Sequence, residues 1–316
     1  MSRKKYPRHP ELAGILNINK PSGMTSHDVV AAIRRAARIR RVGHTGTLDP
    51  MATGVLLVCL DQATRVSRYL MASDKIYRAQ IRLGQTTDTD DAEGQVIHQR
   101  PLPADLDATA IQDALTNFVG KIDQIPPHYA AIKRNGVPLY KLARQGMDPE
   151  PAPRRVVIHA VHLLEWRSPD LAVDVHCGPG TYIRALARDL GNRLGCGGHL
   201  TGLVRLKSGQ FSLEETTELD EVMRRLQEPE GQSIADILWP LDAALTSMAR
   251  MTVDAETERH LRHGQQVPGP LPDPTEEQHA LRRVYAADGT LIAIAKYDER
   301  SSLWQPDTVF DLRPSG

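Results

Sequence analysis

The sequence lacks most of the features that mark the commonest enzyme classes. Its three cysteines are widely spaced and form no CxxC pair, so neither a disulfide framework nor a thiolate zinc site is expected. There is no GxGxxG, GxxxxGKS, GxxxxGKT or GxSxG motif, so dinucleotide, nucleoside triphosphate and serine-hydrolase sites lack support. With only three Phe among 316 residues, the core must consist mainly of Leu, Val, Ile and Ala.

Long apolar runs are also missing. The longest strongly apolar run, Val55–Leu60, is far shorter than the ~20 residues that span a bilayer. The basic start of the chain, MSRKKYPRHP, has no apolar signal core. Together with the unpaired cysteines, these features predict a soluble cytoplasmic protein that does not bind a membrane.

The chain has no net charge, but its charge is unevenly distributed. The 39 basic residues balance 39 acidic ones. Residues 1–44 contain ten Lys or Arg against Glu11 and Asp28, so the rest of the chain is net acidic. A basic end of this kind fits a local site for a polyanion, and it equally fits a solvated basic surface.

The hydrophobic patterns predict a mixed α/β protein. Strand patterns occur at 14–19, 77–83, 156–166, 171–177 and 200–211, and helical patterns at 105–119, 183–194 and 218–227. A further helix is expected to begin after Thr25, with a hydroxyl cap and Asp28 three residues on. The run Val55–Leu60 fits either a buried strand or a buried helix, because its periodicity does not distinguish them.

Length and composition predict two domains. We place the boundary near residue 250, with a large domain at 1–250 and a small β domain at 251–316. From 125 to 155 the composition shifts to Pro, Gly, Lys and Arg, which predicts an insertion or a long loop.

Asp49 and Arg184 are the first candidates for chemistry. Asp49 lies in GHTGTLDP, where glycines and Pro50 disfavour a helix and leave the carboxylate in an irregular loop, placed to act as a nucleophile or base. Asp-Pro is also a common turn pair, so both interpretations stay open. Arg184 is in the first turn of a predicted helix, where the dipole disfavours a cation. It is either paired with a carboxylate or a solvated surface arginine.

Three rings are further candidates. His44, Tyr77 and Tyr182 have the chemistry to stack on an extruded base, although packing in the core is the more frequent fate of such tyrosines.

Two histidine pairs are rejected as metal sites. The strand pattern around His159-x-x-His162 places the two side chains on opposite faces. His260-x-x-His263 has no sufficient set of further ligands. No metal and no cofactor are predicted.

Five segments, in order, resemble the tRNA pseudouridine synthase B family. They are Lys20–Ser26 (KPSGMTS), Gly43–Pro50 (GHTGTLDP), Asp74–Asp88 (DKIYR with LGQTTD), Pro126–Gly146 (PPHY with LYKLARQG) and Gly180–Leu186 (GTYIRAL). The resemblance covers about residues 12–215. It implies an enzyme that flips out a uridine, position 55 in the T-loop of tRNA, and isomerises it to pseudouridine. It also implies tRNA, through its T-arm stem-loop, as the partner, with no obligatory protein partner and no cofactor.

The resemblance further implies the pseudouridine-synthase fold. This is an α/β (α+β) fold with a central mixed twisted sheet flanked by helices. A catalytic domain at 1–250 would carry an RNA-gripping insertion near 125–153, and a small PUA-like β-barrel at 251–316 would bind RNA.

Roles for individual residues follow from the same resemblance. Asp49 matches the nucleophilic aspartate and Arg184 the arginine paired with it. Tyr77 matches the tyrosine that stacks on the flipped uracil and helps to move a proton. The implied substrate-binding positions are His44, Tyr77, Tyr182 and Leu203.

Two other functions are considered. The first is a tRNA-binding folding aid in which RNA remodelling matters more than catalysis. The second is a guide-RNA-dependent relative of the same fold. The insertion near 125–155 favours the stand-alone form, because a guided enzyme has less need of its own RNA grip.

Overall fold

The computed structural model describes residues 12–127, 133–134, 137–138, 151–227, 233–275 and 280–312. The strands of the main sheet are β1 Ile15–Lys20, β2 Val42–His44, β3 Thr53–Leu60, β4 Lys75–Leu83, β7 Gly120–Gln124, β10 Arg154–Arg167, β11 Asp170–Cys177, β12 Gly198–Ser208, β13 Phe211–Ser212, β14 Thr217–Glu218 and β15 Leu238–Trp239. Two small hairpins pair β5 Gln85–Thr87 with β6 Val96–Gln99, and β8 Lys133–Arg134 with β9 Val137–Pro138.

A second sheet forms near the C-terminus. Its strands are β16 Ala249–Thr252, β17 Leu281–Tyr285, β18 Leu291–Asp298 and β19 Leu303–Val309. Within the described residues the α-helices are α1 Ser26–Ala36, α2 Ser67–Ala72, α3 Ala108–Thr116, α4 Ile183–Arg193, α5 Leu219–Gln227 and α6 Ala255–Arg262. None of the helices in the described ranges has the length and apolarity that a membrane crossing requires.

The main sheet is mixed, as the sequence predicts. Its principal strands lie in the order β14-β1-β3-β12-β4-β11-β10-β7. β3 is antiparallel to β1 and parallel to β12, and the pairs from β12 to β7 are antiparallel. The α/β class is confirmed, and the run Val55–Leu60 is a strand.

The central strand β3 is apolar and buried from Val55 to Leu60 because both of its faces are covered. Leu56 and Val58 belong to the core beneath α1, α3 and α4, whereas Val55 and Leu57 belong to a second core on the opposite face. A strand buried on two sides shows no apolar–polar alternation, which is why its periodicity is ambiguous in the sequence.

The predicted start of α1 is confirmed. Thr25 is the N-cap, and its hydroxyl accepts a hydrogen bond from the backbone N–H of Asp28. The Asp28 carboxylate accepts in return from the backbone N–H of Thr25, which completes a capping box. The helix buries Val29, Val30 and Ile33 against the sheet.

The prediction that His159 and His162 of β10 lie on opposite faces is wrong. Ile158 and Val161 are both buried in the core although their positions are three apart, which strict alternation would place on opposite faces. A β-bulge causes this: Ile158 pairs with Cys177 and Ala160 with His176, so β10 contains one extra residue. Strict alternation therefore fails here, and His159 and His162 both lie on the face away from the core.

The two sheets share a core. Tyr285, Leu291 and Phe310 of the C-terminal region belong to the same buried apolar cluster as Val55 and Phe211 of the main sheet. The Tyr285 hydroxyl also donates a hydrogen bond of 2.7 Å to Asp242 Oδ2. The C-terminal sheet is thus packed on the main one. Most of the insertion predicted near 125–153 lies outside the described residues.

Candidate active site

The loop that carries Asp49 connects β2 to β3 and is held by the first residue of α1 and by the turn before that helix. The Ser26 hydroxyl both accepts a hydrogen bond from the Leu48 N–H (2.8 Å) and donates one to the Leu48 carbonyl (3.2 Å). The Pro50 carbonyl accepts from Lys20 Nζ at 3.2 Å and from the Gly23 N–H at 2.9 Å. The residues on both sides of Asp49 are therefore fixed, which orients its carboxylate.

Arg205 of β12 holds the same loop from the other side. Its Nε donates to the Val55 carbonyl at 2.6 Å and its Nη2 to the Gly46 carbonyl at 3.2 Å. Close approach of the two strands requires Gly54, whose φ is +95° and whose added Cβ would lie 2.4 Å from the Arg205 carbonyl oxygen. A larger residue at position 54 would push β3 away from β12.

Asp49 and Arg184 form a side-on ion pair. Arg184 Nη2 donates to Asp49 Oδ1 at 3.1 Å, and Arg184 Nε lies 3.0 Å from Asp49 Oδ2. The Arg184 side chain is only 7% exposed, which excludes the solvated surface arginine considered from the sequence. A planar guanidinium that meets both oxygens fixes the orientation of the carboxylate.

The buried residue Asp91 holds Arg184 from the opposite direction. Arg184 Nη1 lies 3.3 Å from Asp91 Oδ2 and donates to the Thr89 carbonyl at 3.2 Å. Asp91 is itself held, since its Oδ1 accepts from the Thr89 hydroxyl at 2.6 Å and from the Glu93 N–H at 3.1 Å. The arginine is thus fixed between two carboxylates.

Sequence reasoning missed Asp91. It lies just beyond the matched segment LGQTTD, in an acidic run that we interpreted as a loop. Its carboxylate is 4% exposed, and its position is set by a bridge between Asp91 and Leu200 of β12. Proximity to a matched motif was the only available signal.

Burial raises the pKa of the Asp49 carboxyl. The Arg184 guanidinium opposes this rise, and the negative charge of Asp91 adds to it. A partly desolvated carboxylate with a fixed counter-ion is a stronger nucleophile or base than one in water.

Tyr77 and Leu203 lie on neighbouring strands. The Cα partners are Tyr77 with Arg205 and Ala79 with Leu203, so all four side chains share the face of the sheet near the Asp49 loop. Tyr77 is buried within β4, and this burial raises the pKa of its hydroxyl, against the opposing charge of Arg205. The charge of Asp49 also acts on that hydroxyl.

Tyr182 is the residue before α4. Gln124 holds its backbone on both sides: Oε1 accepts from the Tyr182 N–H at 2.8 Å, and Nε2 donates to its carbonyl at 3.0 Å. Burial raises the pKa of the Tyr182 hydroxyl, and the charges of Arg184 and Asp49 act on it. Asp49 and Arg184 are thus in direct contact, and the charge of Asp49 acts on the hydroxyls of both Tyr77 and Tyr182.

His44 ends β2 and has different neighbours. Its ring meets that of His27 edge-on at a centroid distance of 5.6 Å, and its Nδ1 accepts a long hydrogen bond of 3.4 Å from the Gly46 N–H. Burial, together with the charges of His27 and Arg205, lowers the pKa of His44 from 6.5 to about 4. The ring is therefore neutral at pH 7.

The neutral state of His44 predicts a pH-dependent stability. Between pH 6.5 and 4 the unfolded chain binds a proton that the folded chain does not, so stability falls as the pH falls. Replacing His44 by Gln should therefore reduce the loss of unfolding free energy between pH 7 and 5 by at most about 2 kcal/mol. Urea denaturation at the two pH values measures this loss.

The exposed histidine His98 on β6 provides the matched control. A His98→Gln protein should lose as much stability on acidification as the wild type. An equally steep loss in His44→Gln would show that His44 is not the group responsible.

Two family models match the chain. Residues 34–183 match the N-terminal domain of the TruB family pseudouridylate synthases, and residues 184–246 match the C-terminal domain of tRNA pseudouridylate synthase B.

Relatives that match most of the chain are named tRNA pseudouridine synthase B. The tRNA pseudouridine synthase B of Syntrophotalea carbinolica is 46% identical over 79% of this chain and 80% of its own length. That of Dehalococcoides mccartyi is 43% identical over 94% of this chain and 96% of its own. That of Ralstonia pickettii is 38% identical over 98% of both chains.

Solved structures share the fold. A chain from a Cbf5–Nop10–Gar1 complex aligns with a TM-score of 0.72 at 24% identity and covers 99% of this chain and 92% of its own. A chain from an H/ACA RNP bound to a substrate RNA aligns with a TM-score of 0.71 at 23% identity, over 96% and 88%. At these identities the likeness concerns the fold alone.

Proposed function

Because the chain belongs to the tRNA pseudouridine synthase B family, we propose that it isomerises uridine 55 in the T-loop of tRNA with Asp49 as the nucleophile. The relatives' name supports uridine isomerisation in tRNA. The observation that carries the assignment to Asp49 is its ion pair with the buried Arg184.

The reaction conserves all atoms. The N1–C1′ bond of the uridine breaks, the uracil turns, and C5 bonds to C1′; the proton from C5 is lost and N1 gains one. Asp49 would bond to C1′ as the N1–C1′ bond breaks, and this new bond would break as C5 bonds to C1′, which regenerates the free carboxylate. A carboxylate suits both roles, since it is a nucleophile and also a good leaving group.

Arg184 has two tasks in this proposal. It contacts both Asp49 oxygens, and its charge opposes the rise in the pKa of Asp49 that burial causes, which favours the ionised carboxylate. Asp91 is a positioning residue, because it contacts Arg184 and no reacting atom. Because of this arrangement the nucleophile is ordered before the substrate binds, so its ordering adds no entropy cost to the reaction step.

The remaining side chains would receive the flipped base. Tyr77 offers an aromatic surface for stacking, Leu203 an apolar surface on the adjacent strand, and Tyr182 a hydroxyl near Asp49. His44, as a neutral ring on the edge of the Asp49 loop, would take the place of the base in the T-loop.

A substrate test follows from this proposal. Unmodified tRNA and an isolated T-arm stem-loop should both gain pseudouridine at the target position with similar single-turnover rates, because local shape and a flipped base carry recognition. Carbodiimide-stop primer extension detects the product. A tRNA with cytidine at the target position is the negative control. Modification at another position only, or of whole tRNA only, would contradict the T-arm assignment.

Asp91 allows a test of positioning. Asp91→Asn should lower the saturating single-turnover rate by about 10- to 100-fold, because a small displacement of Arg184 misaligns Asp49. Affinity for tRNA should change little. Asp90→Asn is the matched control, since the Asp90 carboxylate pairs with Arg188. Equal rates for the two variants would argue against a specific role of Asp91.

The other functions considered from the sequence are less well supported. Relatives at 38–46% identity are named tRNA pseudouridine synthase B, whereas the likeness to the Cbf5–Nop10–Gar1 and H/ACA RNP chains lies at 23–24% identity and concerns the fold alone. A folding-aid role in addition to catalysis is testable with a catalytically inactive variant.

The division at residue 250 remains part of the proposal, with residues 251–316 as an RNA-binding unit. Because Val55, Leu57 and Phe211 share a buried cluster with the C-terminal sheet, truncation would expose apolar surface. RNA contacts of this unit are therefore better tested in the full chain. Neutralising the exposed Arg259 and Lys296 should weaken binding of whole tRNA more than binding of the stem-loop.

A further inference from the structure

Three side chains outside the proposed active site converge on the face of the main sheet that lies away from the core. Asp74 immediately precedes β4, His159 lies on β10 and His176 on β11. His159 Nε2 is 3.2 Å and His176 Nε2 is 3.8 Å from the same oxygen, Asp74 Oδ2. The centroids of the two imidazole rings are 4.7 Å apart.

The β-bulge of β10 lies at this meeting point. Because Ile158 pairs with Cys177 and Ala160 with His176, His159 is the additional residue. Its side chain turns to the open face, where it reaches His176 of the neighbouring strand. The bulge therefore leaves His159 and His162 on one face, whereas strict alternation would place them on opposite faces.

We propose that Asp74, His159 and His176 form a binding site for one zinc-like transition-metal ion. One ligand atom from each of the three residues lies within 4.8 Å of the others. Bonds of about 2.0–2.1 Å from a tetrahedral Zn²⁺ would place its ligand atoms about 3.3 Å apart. Small side-chain rotations bring the present separations to that value.

The donor set selects the class of ion. Two imidazole nitrogens suit Zn²⁺, Co²⁺ or Ni²⁺, whereas Mg²⁺ and Ca²⁺ require more oxygen ligands than a single carboxylate supplies. The side chains are 48%, 38% and 42% exposed for Asp74, His159 and His176, so water has access to the remaining coordination position. The ion would join the start of β4 to β10 and β11.

The site is separate from the proposed catalytic centre. His176 pairs with Ile76, whereas the adjacent pair is Val175 with Tyr77. Side chains of successive residues in a strand point to opposite faces, so His176 and Tyr77 lie on opposite sides of the sheet. Failure of one proposal therefore leaves the other intact.

The test is a zinc titration of the full-length, chelator-treated protein in competition with a chromophoric chelator. We expect one Zn²⁺ to bind per chain, and a weakening of at least tenfold in His159→Asn and in His176→Asn. Zinc should also raise the unfolding temperature of the wild type by several degrees, but not that of the two variants. The visible absorption of the Co²⁺ form should show tetrahedral coordination that disappears in both.

His162→Asn is the matched control. His162 is exposed on the same face of β10 but pairs in register with Asp174, which Arg78 binds. This variant should bind zinc as the wild type does, and all variants should keep the wild-type rate of pseudouridine formation. Equal zinc affinity in the wild type and in a His159→Asn/His176→Asn double variant would overturn the proposal and identify the cluster as an ordinary ion pair.

Discussion

Asp49→Asn is expected to abolish pseudouridine formation. In enzymes where the effect of removing the nucleophile has been measured by itself, the catalytic rate falls by at least about 10,000-fold. The amide oxygen of asparagine does not replace the carboxylate as a nucleophile. Affinity for tRNA should stay within a few-fold of the wild type, because phosphate contacts elsewhere dominate it. Single-turnover kinetics at saturating protein, together with filter binding of the same tRNA, separates the two quantities.

The fold should survive this substitution. Arg184 keeps Asp91 as a charged partner, and the loop remains pinned through Leu48 and Pro50. Asp174→Asn, on the open face of β11, is the control for a general effect of losing an aspartate. A rate for Asp49→Asn near that of the wild type would exclude Asp49 as the nucleophile. The inactive protein also serves to measure any tRNA-folding activity without catalysis.

Arg184→Lys should lower the saturating rate by about 100-fold, the scale on which a displacement of about 1 Å acts. Arg184 contacts both Asp49 oxygens while another nitrogen faces Asp91 and the Thr89 carbonyl. A lysine ammonium is a point charge on a flexible chain, and it does not reproduce this planar set of contacts. The apparent Kd for tRNA should change little.

The control for this prediction lies one turn along the same helix. Arg188 also forms ion pairs, with Asp90 and Asp189, but it does not contact Asp49. If Arg184 acts on the chemical step, Arg188→Lys should lose as much unfolding free energy as Arg184→Lys does. It should nevertheless retain most of the wild-type single-turnover rate. A kinetically silent Arg184→Lys would show that the planar pairing is not needed. Equal rate losses in the two variants would indicate a structural effect of α4.

The family could be identified from the sequence because its motifs are local. Segments such as GHTGTLDP and GTYIRAL are short and contiguous, so they can be recognised without knowledge of contacts between distant parts of the chain. The family models confirm the match. The resemblance also implied that Asp49 and Arg184 are partners, although they lie 135 residues apart in the chain. Bottom-up reasoning without the resemblance left both residues with ordinary alternatives.

The hydrophobic patterns and motifs of the sequence did not predict which distant segments come into contact. Asp91 reads as one acid in an acidic loop until the bridge to Leu200 buries it beside Arg184. Hydrophobic spacing does not reveal the bulge that leaves His159 and His162 on one face, since apolar residues at Ile158 and Val161 also fit other local structures. In both cases the register between strands determines which side chains meet.

The sequence by itself determined the local elements. The capping box of Thr25 and Asp28 and the apolar stripe of α4 act within one or two helical turns, so their free energies are set by neighbours in the chain. Tertiary structure alone decided that β3 is covered on both faces, that Arg184 is buried, and that His159 turns toward His176. These outcomes depend on which strands pair and in what register, and that choice is made by burial summed over the whole sheet rather than by any single segment.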